Sequence, residues 1–392
     1  MKNLYKKYFF FRLLIFFVII FLSLKSFAQS LRDSSTTITI SAVGDLMCHS
    51  VQFEYAETGK DTFDFNPVYR LVKSYLSYAD FTIGNLETVI AGKDKKFSGY
   101  PLFNSPDEYI TALKDAGFDL LFTSNNHALD RGEYGVLRTI KILNENKINY
   151  DGTFISQKDR DSTRIFDLKG IRVAFLAYTY GTNGNVVPKD KSYLINKIDY
   201  QFIQNDIMKA RMENADLVLV YFHFGTEYKR EPDQFQKIVV DSTIKYGADI
   251  IIGSHSHVVE PMKMFKTNNG SLDSGLVAYS LGNFFSNQRW RYSDCGVILN
   301  VSITKNFQTG KTCISKIDFV PTWIFKGHTG TQSEYVIVPS QYLMSNDVYS
   351  HFTKRDFRKM FEAFSDTRNI LEKYSLKFPY RSNLINRQLH TQ

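Results

Sequence analysis

The chain is short of the residues that mark several protein classes. Three cysteines (Cys48, Cys295 and Cys313) among 392 residues allow at most one disulfide and leave at least one thiol free, so no disulfide framework holds the fold. Nine prolines and 22 glycines exclude collagen-like and Pro/Gly low-complexity material. No internal repeat of 20–50 residues is visible. Excess positive charge is also scarce once residues 1–28 are set aside: Lys2, Lys6, Lys7, Arg12 and Lys25 carry five of the formal +8 and leave +3. A nucleic-acid partner then has no electrostatic support, because such partners demand a clustered basic face. Against these absences stand 33 Phe, 24 Tyr and a 43% hydrophobic content, enough for a large packed core in one large domain or two ordinary ones.

Residues 1–28 combine a basic stretch (MKNLYKK), an apolar run of 12 residues from Leu13 to Leu24, and a small-x-Ala ending at Ser26-Phe27-Ala28. That is the build of a secretory signal peptide cleaved after Ala28. The apolar run is shorter than the roughly 20 residues that span a bilayer, although adding 8–11 across Arg12 lengthens it toward an uncleaved anchor. No cysteine follows it, so no lipid attachment is offered there. On either reading the protein is exported, to the periplasm, the cell envelope or the medium. Residues 29–36 read as a polar linker.

Beyond the linker, short β-rich runs alternate with helical patterns, which predicts an α/β architecture. Strands are expected at 37–43, 80–83, 119–123, 172–178, 217–222, 250–252 and 276–281, most of them almost wholly apolar, as strands buried on both faces are. Helices are expected at 67–78, 133–146, 199–213 and 233–246. A further helix begins at Ser105-Pro106-Asp107-Glu108, which reads as a capping box, and is closed by Gly117. Residues 295–325 look like a hairpin turning near Gly310 and completing a second sheet. The last stretch is polar, basic and weakly helical over 348–374. The expected division is therefore a leader (1–28), a linker (29–36), a main domain (37–330) and a C-terminal helical extension (331–392).

Chemistry gathers where the strands end. The first runs into Gly44-Asp45, the next into Gly84-Asn85-Leu86-Glu87, and the third into Ser124-Asn125-Asn126-His127 with Asp130 beyond. Later strands run into His223-Phe224-Gly225-Thr226-Glu227 and Gly253-Ser254-His255-Ser256-His257. Ligands in open α/β sheets bind outside the carboxyl ends of strands, so these clusters should converge although they span over 200 residues. Histidine is scarce, at 8 in all, yet His49, His127, His223, His255 and His257 lie in or beside these ends. Carboxylates, an amide and imidazoles form a mixed O/N donor set that suits one or two divalent ions such as Zn, Mn or Fe. Such ions lower the pKa of bound water toward about 7, and the fitting reaction is metal-assisted hydrolysis, most naturally of a phosphate ester.

Each cluster also has a plainer reading. Gly-Asp at a strand end is commonly a turn, Glu87 fits a solvated loop, and Asn125 or Asn126 fits a helix cap with an exposed His127. In the functional reading Asn126 is a ligand, and His127 is a proton donor or phosphate contact oriented by Asp130. Alternate residues on an extended chain point the same way, so His255 and His257 can share one metal site. Of Phe222, Phe224, Tyr228, Phe284 and Phe285, which could line a groove, most fit the core better. Gly310-Lys311-Thr312 is not a phosphate-cradling loop, because position 305 is Lys where that motif needs Gly and no helix follows. ATP-driven ligation has no support.

The ordered set Gly-Asp, Asn-x-Glu, Asn-Asn-His-x-x-Asp, His-x-Gly-x-Glu and Gly-x-His-x-His, together with Tyr279-Ser280-Leu281-Gly282-Asn283-Phe284, resembles the CapA-like family of capsule-synthesis proteins over residues 37–285. That family is named for poly-γ-glutamate capsule formation and is related to calcineurin-like metallophosphoesterases. The resemblance implies a four-layer α-β-β-α sandwich with a metal centre at one edge. It implies that Asp45 binds the first metal, that Glu87 stands where the phosphoesterases place a bridging carboxylate, and that Asn126 binds the second metal beside His127, which assists the leaving group with Asp130 behind it. His223 and His255 then ligate one metal and His257 the other, and Glu227 is a further catalytic-site residue.

One departure from the phosphoesterase pattern concerns its Asp-x-His motif: here Asp45 is followed by Leu46-Met47, and His49 lies two positions late, fitting a rim residue better than a ligand. CapA-like proteins share that departure. Three functions follow from the resemblance. The first is an exported metal-dependent hydrolase in capsule or cell-surface polymer metabolism. The second is a non-catalytic capsule-assembly component holding an anionic polymer beside a membrane synthase. The third is a nucleotidase-like phosphoesterase.

Overall fold

The apolar runs become strands whose two faces are both covered. The computed structural model describes residue 15 and residues 34–267, 272–329, 332–341 and 351–373. Most of the leader and linker, and the end of the chain, lie outside the described residues, so the signal-peptide expectation is not touched by the fold. No helix among the described residues is long and apolar enough to cross a membrane.

The first part of the chain supplies β1 (Ser35–Leu46), a small hairpin of β2 (Glu57–Gly59) and β3 (Thr62–Phe63), then β4 (Phe81–Leu86), β5 (Leu120–Phe122) and β6 (Asn149–Asp151). The middle supplies β7 (Arg164–Leu168), β8 (Ile171–Thr179), β9 (Leu217–His223), β10 (Ile250–Ser254), β11 (Met262–Lys266) and β12 (Ser274–Ala278). The remainder supplies β13 (Asn283–Phe285), β14 (Cys295–Asn306), β15 (Thr312–Thr329) and β16 (Gln332–Pro339). One sheet has the order β16-β15-β14-β1-β4-β5-β6 with β13 paired to β1, and the other β11-β12-β10-β9-β8-β7. Within them β1, β4, β5 and β6 run parallel, as do β8, β9, β10 and β12.

Alternation of side chains across a strand sends one apolar set inward and the other outward. Ile40, Ile83, Leu120 and Phe122 of the first sheet meet Val173, Phe175, Leu219, Tyr221 and Ile252 of the second in one buried cluster. The rings of Phe122 and Tyr221 stack across it at 4.5 Å. The outer face of the first sheet carries Val43, Leu46, Leu86 and Leu121. Against it lie the helices at Asp107–Ala116 and Gly132–Glu145, through Tyr109, Ile110, Leu113, Val136, Ile140 and Leu143. The outer face of the second is covered by Tyr200–Met212 and Gln234–Tyr246, through Ile203, Ile207, Val239 and Val240. Helix, sheet, sheet, helix is the expected four-layer α-β-β-α arrangement.

Several expectations need correction. Residues 295–325 do not complete a second sheet: β14 pairs antiparallel with β1, from Ser35↔Asn306 to Ala42↔Leu299, and so extends the first sheet. The border drawn at 330 cuts a hairpin, because β15 and β16 pair from Thr322↔Pro339 to Thr329↔Gln332. Residues 332–339 therefore belong to the sheet. The helical part of the expected extension is Lys354–Leu371, packed on β14 and β15 and started by a true capping box at Thr353 and Asp356. Residues 67–78 form two short helices, Asn66–Tyr69 and Lys73–Leu76, separated by a turn at 70–72, with Val72 capping the second at φ −111°, ψ −12°. The capping box expected at Ser105 does not form, since its hydroxyl bonds to Thr88 Oγ1 at 2.7 Å and Pro106 takes the cap position. Gly117 closes that helix in the left-handed conformation, as expected.

Candidate metal centre

The site begins with how closely two segments approach. A Cβ on Gly44 would stand 1.9 Å from the carbonyl oxygen of Gly282, and one on Gly253 would stand 1.9 Å from that of Tyr279. Glycine at these strand ends lets the 279–283 segment lie against both β1 and β10, and Asp45 N donates to Gly282 O at 2.9 Å. The result is that Asp45, at the end of a strand in one sheet, is fully buried beside Ser254 at the end of a strand in the other.

Asp45 is surrounded by donors. Its Oδ1 accepts from Asn85 Nδ2 at 2.8 Å and from the Ser254 hydroxyl, and its Oδ2 lies 3.1 Å from His257 Nδ1. Glu87 is fully buried as well; its Oε2 lies 3.3 Å from the same Asn85 amide, while Oε1 has no hydrogen-bond partner. Oε1 faces His223 Nε2 at 3.5 Å and His257 Nε2 at 4.0 Å. His223 Nε2 also lies 2.9 Å from Asn126 Oδ1, and Asn85 Nδ2 lies 3.3 Å from its Nδ1. His255 has no partner at Nδ1, although the residue is only 4% exposed.

The plainer readings do not hold. Asp45 and Glu87 are buried rather than in a turn or a solvated loop, and no helix starts at Asn125 or Asn126. Asn125 instead ties the turn together, donating to Leu86 O at 2.7 Å and accepting from His127 N at 3.1 Å. His127 is buried with its Nδ1 2.7 Å from Asp130 Oδ2, the latter also accepting from Phe103 N at 2.7 Å. Phe103 meets the imidazole edge-on at 4.7 Å. Alternation on an extended chain does not aim His255 and His257. β10 ends at Ser254, and both histidines take left-handed backbone conformations, with φ of 94° and 58°. Their rings nevertheless lie 5.9 Å apart, so a tight turn does what strand alternation was expected to do.

Electrostatics sort the groups. Burial alone would raise Asp45, but the hydrogen bond and charge of His257 and the Asn85 amide reverse this and hold it below the usual carboxylate range. Glu87 is pushed well above that range by burial first and then by the neighbouring charge of Asp45. Two buried carboxylates this close do not both ionise without a cation between them. Burial, with the other imidazoles nearby, lowers His223 well below the usual histidine value and His255 to about 3. Both rings are therefore neutral at pH 7, the form that ligates metal.

Three overlapping sets have ligand atoms within 4.8 Å of one another: Glu87, His223 and His255; Asp45, Glu87 and His257; and Glu227, His255 and His257. With Asn126 Oδ1 touching His223, the expected ligands Asp45, Glu87, Asn126, His223, His255 and His257 all meet at one rim, with His127 and Asp130 beside them. The orphaned Glu87 Oε1 and His255 Nδ1 are the kind of buried groups a divalent cation satisfies, so the residues present fit a metal. His49 is a rim residue: it precedes the helix Ser50–Ala56, with its Nδ1 3.2 Å from Gln52 Oε1, and joins none of these sets. Burial lowers it to about 4. Met47, where the phosphoesterase motif has histidine, is buried. Phe222, Phe224, Phe284 and Phe285 are core residues, whereas Tyr228 is exposed over His257 at 5.9 Å.

Sequence reasoning assigned no role to Asn85, Asn283 or Asn183. The first two stand inside the motifs themselves, and Asn283 Oδ1 lies 3.1 Å from His257 Nδ1. Asn183, which accepts from Asn126 Nδ2 at 3.2 Å, comes from a loop with no motif, and nothing in the sequence marks it.

A family model described as bacterial capsule synthesis protein PGA_cap matches residues 39–288. The capsule biosynthesis protein CapA of Bacillus anthracis is 29% identical over 279 residues, 69% of this chain and 64% of that protein. The chain thus spans just under two thirds of that relative's length. The PGA biosynthesis protein CapA of Bacillus subtilis (strain 168) is 27% identical over 288 residues, 73% of this chain and 72% of that protein. Among solved structures, the calcineurin-like phosphoesterase YfkN of Bacillus subtilis is similar at 14% identity and a TM-score of 0.40, covering 87% of this chain and 99% of that one. The NAD nucleotidase NadN of Haemophilus influenzae is similar at 13% identity and a TM-score of 0.45, covering 85% and 56%.

Proposed function

The chain belongs to the bacterial capsule synthesis PGA_cap family, and from that premise we propose that it is an exported metal-dependent hydrolase acting on an anionic cell-surface polymer or a phosphoester of surface-polymer metabolism. The reading is carried by one observation: two buried carboxylates, three buried imidazoles and the Asn126 amide meet at the joined edges of two sheets, with Glu87 Oε1 and His255 Nδ1 left without partners. Asp45, Glu87 and His257 would hold one divalent ion, and Glu87, Asn126, His223 and His255 a second. Zn, Mn and Fe suit this donor set. When bound, such ions polarise the scissile group and activate water at neutral pH.

The chain's own residues prepare that chemistry. Asp45 puts negative charge at the rim, Glu87 adds its own only when a cation lies between the two, and the neutral His223 and His255 need lose no proton before ligating. Asp130 Oδ2 accepts a hydrogen bond from His127 Nδ1–H, which fixes the tautomer and ring orientation and turns Nε2 toward Asn183 Nδ2 at 3.5 Å. His127 is placed to give a proton to a leaving group from that nitrogen when its imidazole is charged. Export rests on residues 1–28 and is tested by fractionating cells that express the full chain.

Met47 favours a second reading, in which the same rim holds an anionic polymer beside a membrane synthase without turnover, because the imidazole of the Asp-x-His pattern is missing. Elemental analysis of purified protein, paired with a screen of phosphoesters and γ-glutamyl peptides, separates the two. Bound metal with turnover that His127→Ala removes supports the hydrolase. Bound metal with no turnover on any substrate, and polymer binding that survives chelation, supports assembly.

A further inference from the structure

The loop after β9 presents Glu227 to the metal rim from the solvent side. It was expected to be catalytic, yet its carboxylate oxygen falls within 4.8 Å of ligand nitrogens of both His255 and His257. The placement is built rather than accidental. Tyr228 N, one residue on, donates to Ser256 O at 2.7 Å, so the residue after Glu227 is tied to the residue between the two histidines. Gly225 takes a left-handed backbone at φ 108°, where a Cβ would stand 2.6 Å from the Gln236 side chain. Thr226 Oγ1 donates to Asp233 Oδ2 at 2.8 Å, and Arg230 Nη2 donates to Asp366 O at 2.6 Å, which fastens the loop at both ends.

The centre needs a donor from this side. Asp45, Glu87 and His257 give one ion three protein ligands, and the position two residues beyond Asp45 holds the buried Met47 in place of an imidazole. Zinc takes four ligands and manganese commonly six. His255, whose Nδ1 is buried and unpartnered, stands between this set and the other.

We propose that Glu227 is a metal ligand: its carboxylate closes, from the solvent side, the shell that Asp45, Glu87 and His257 begin, and stands in for the imidazole absent at position 47. This rests on the metal-centre reading above. An exposed carboxylate on a surface loop is the most easily exchanged ligand of such a shell, so its ion is the weaker of the two.

The test is calorimetric titration of metal-free protein with Mn2+ and Zn2+, together with the visible absorption spectrum of the Co2+-loaded protein, for wild type and Glu227→Ala. Expected is a loss of one equivalent, or at least a ten-fold weaker second equivalent, with a changed Co2+ spectrum and an unaltered melting temperature of the metal-free protein. Identical stoichiometry, affinity and spectrum in Glu227→Ala overturn the inference while leaving the metal centre standing. Wild-type protein that takes up no metal overturns both. Glu227→Ala that loses turnover with metal binding intact returns Glu227 to a proton-transfer role and likewise overturns it.

Discussion

Asn85 donates its side-chain amide to Asp45 at 2.8 Å, from the neighbouring parallel strand on which the two residues stand in register. The same nitrogen lies 3.3 Å from Glu87 Oε2 and from His223 Nδ1. A neutral donor thus occupies the point where two buried carboxylates would otherwise repel, and it holds them at ligand spacing before any cation arrives.

Replacing that donor by an acid should make the fold depend on metal. Asn85→Asp puts a third carboxylate beside Asp45 and Glu87, and the metal-free protein should lose on the order of 3 kcal/mol of stability. Saturating Mn2+ should restore more than it adds to wild type, since a ligand that binds only the native state stabilises it by mass action. Thermal melts with and without metal check this; equal melting temperatures for the two metal-free proteins contradict the role given to Asn85.

His127 should matter to turnover and not to metal uptake. His127→Ala is expected to lower kcat by about 10²–10⁴-fold on whichever substrate the screen identifies, the usual range for a positioned acid. Asp130→Asn should give a smaller loss of kcat, because the amide no longer steadies the imidazolium. Loss of bound metal in either variant would instead place His127 among the ligands.

The approach of β1 to the 281–283 segment should tolerate no side chain. Gly44→Ala puts a methyl group within 1.9 Å of the Gly282 carbonyl oxygen, backbone that cannot swing aside. A destabilisation of about 3 kcal/mol or more is expected, with lower metal affinity because Asp45 moves. Chemical denaturation and metal titration measure both effects, and a wild-type denaturation midpoint would show that the two segments are not held this tightly.

Away from the site, Asp151 should shape the pH dependence of stability. Burial raises its carboxyl to about 7, and Oδ2 has no hydrogen-bond partner, while the charges of Arg164 and Arg160 oppose the rise. Between its unfolded value near 4 and about 7 the folded state holds a proton that the unfolded state has released, so stability falls as pH rises through this window and levels off above it. At about 1.4 kcal/mol per unit, the loss approaches ~4 kcal/mol. Asp151→Asn should flatten that slope and melt higher than wild type at pH 8; an unchanged slope between pH 4 and 7 would falsify the assignment.

Much of this was legible from local pattern. Parallel strands buried on both faces read as unbroken apolar runs, so 217–222 and 250–252 were recognisable, and polar groups placed directly after such runs could only lie at strand ends. Asp199 and Asp233 each cap a helix where their sequence suggested one would start, because capping is settled within four residues. The signals failed where a contact is not local. Ser105 looks like a cap but bonds to Thr88, a partner brought by another loop. The segment from 295 to 339 alternates like any hairpin, and nothing in that alternation says which sheet edge it will join.

What the sequence determined by itself is the inventory and its order: which strands are buried, which polar groups follow them, and the sparse histidines placed at those ends, since periodicity and chain neighbours depend on a few adjacent residues. Only the tertiary structure decided the rest. Stacking two sheets set Asp45 against Ser254 and His257, more than 200 positions away, left-handed turns rather than strand pleat aimed His255 and His257, and a separately anchored loop brought Glu227 to them. Those distances follow from how whole layers pack, and packing is a property of every face at once.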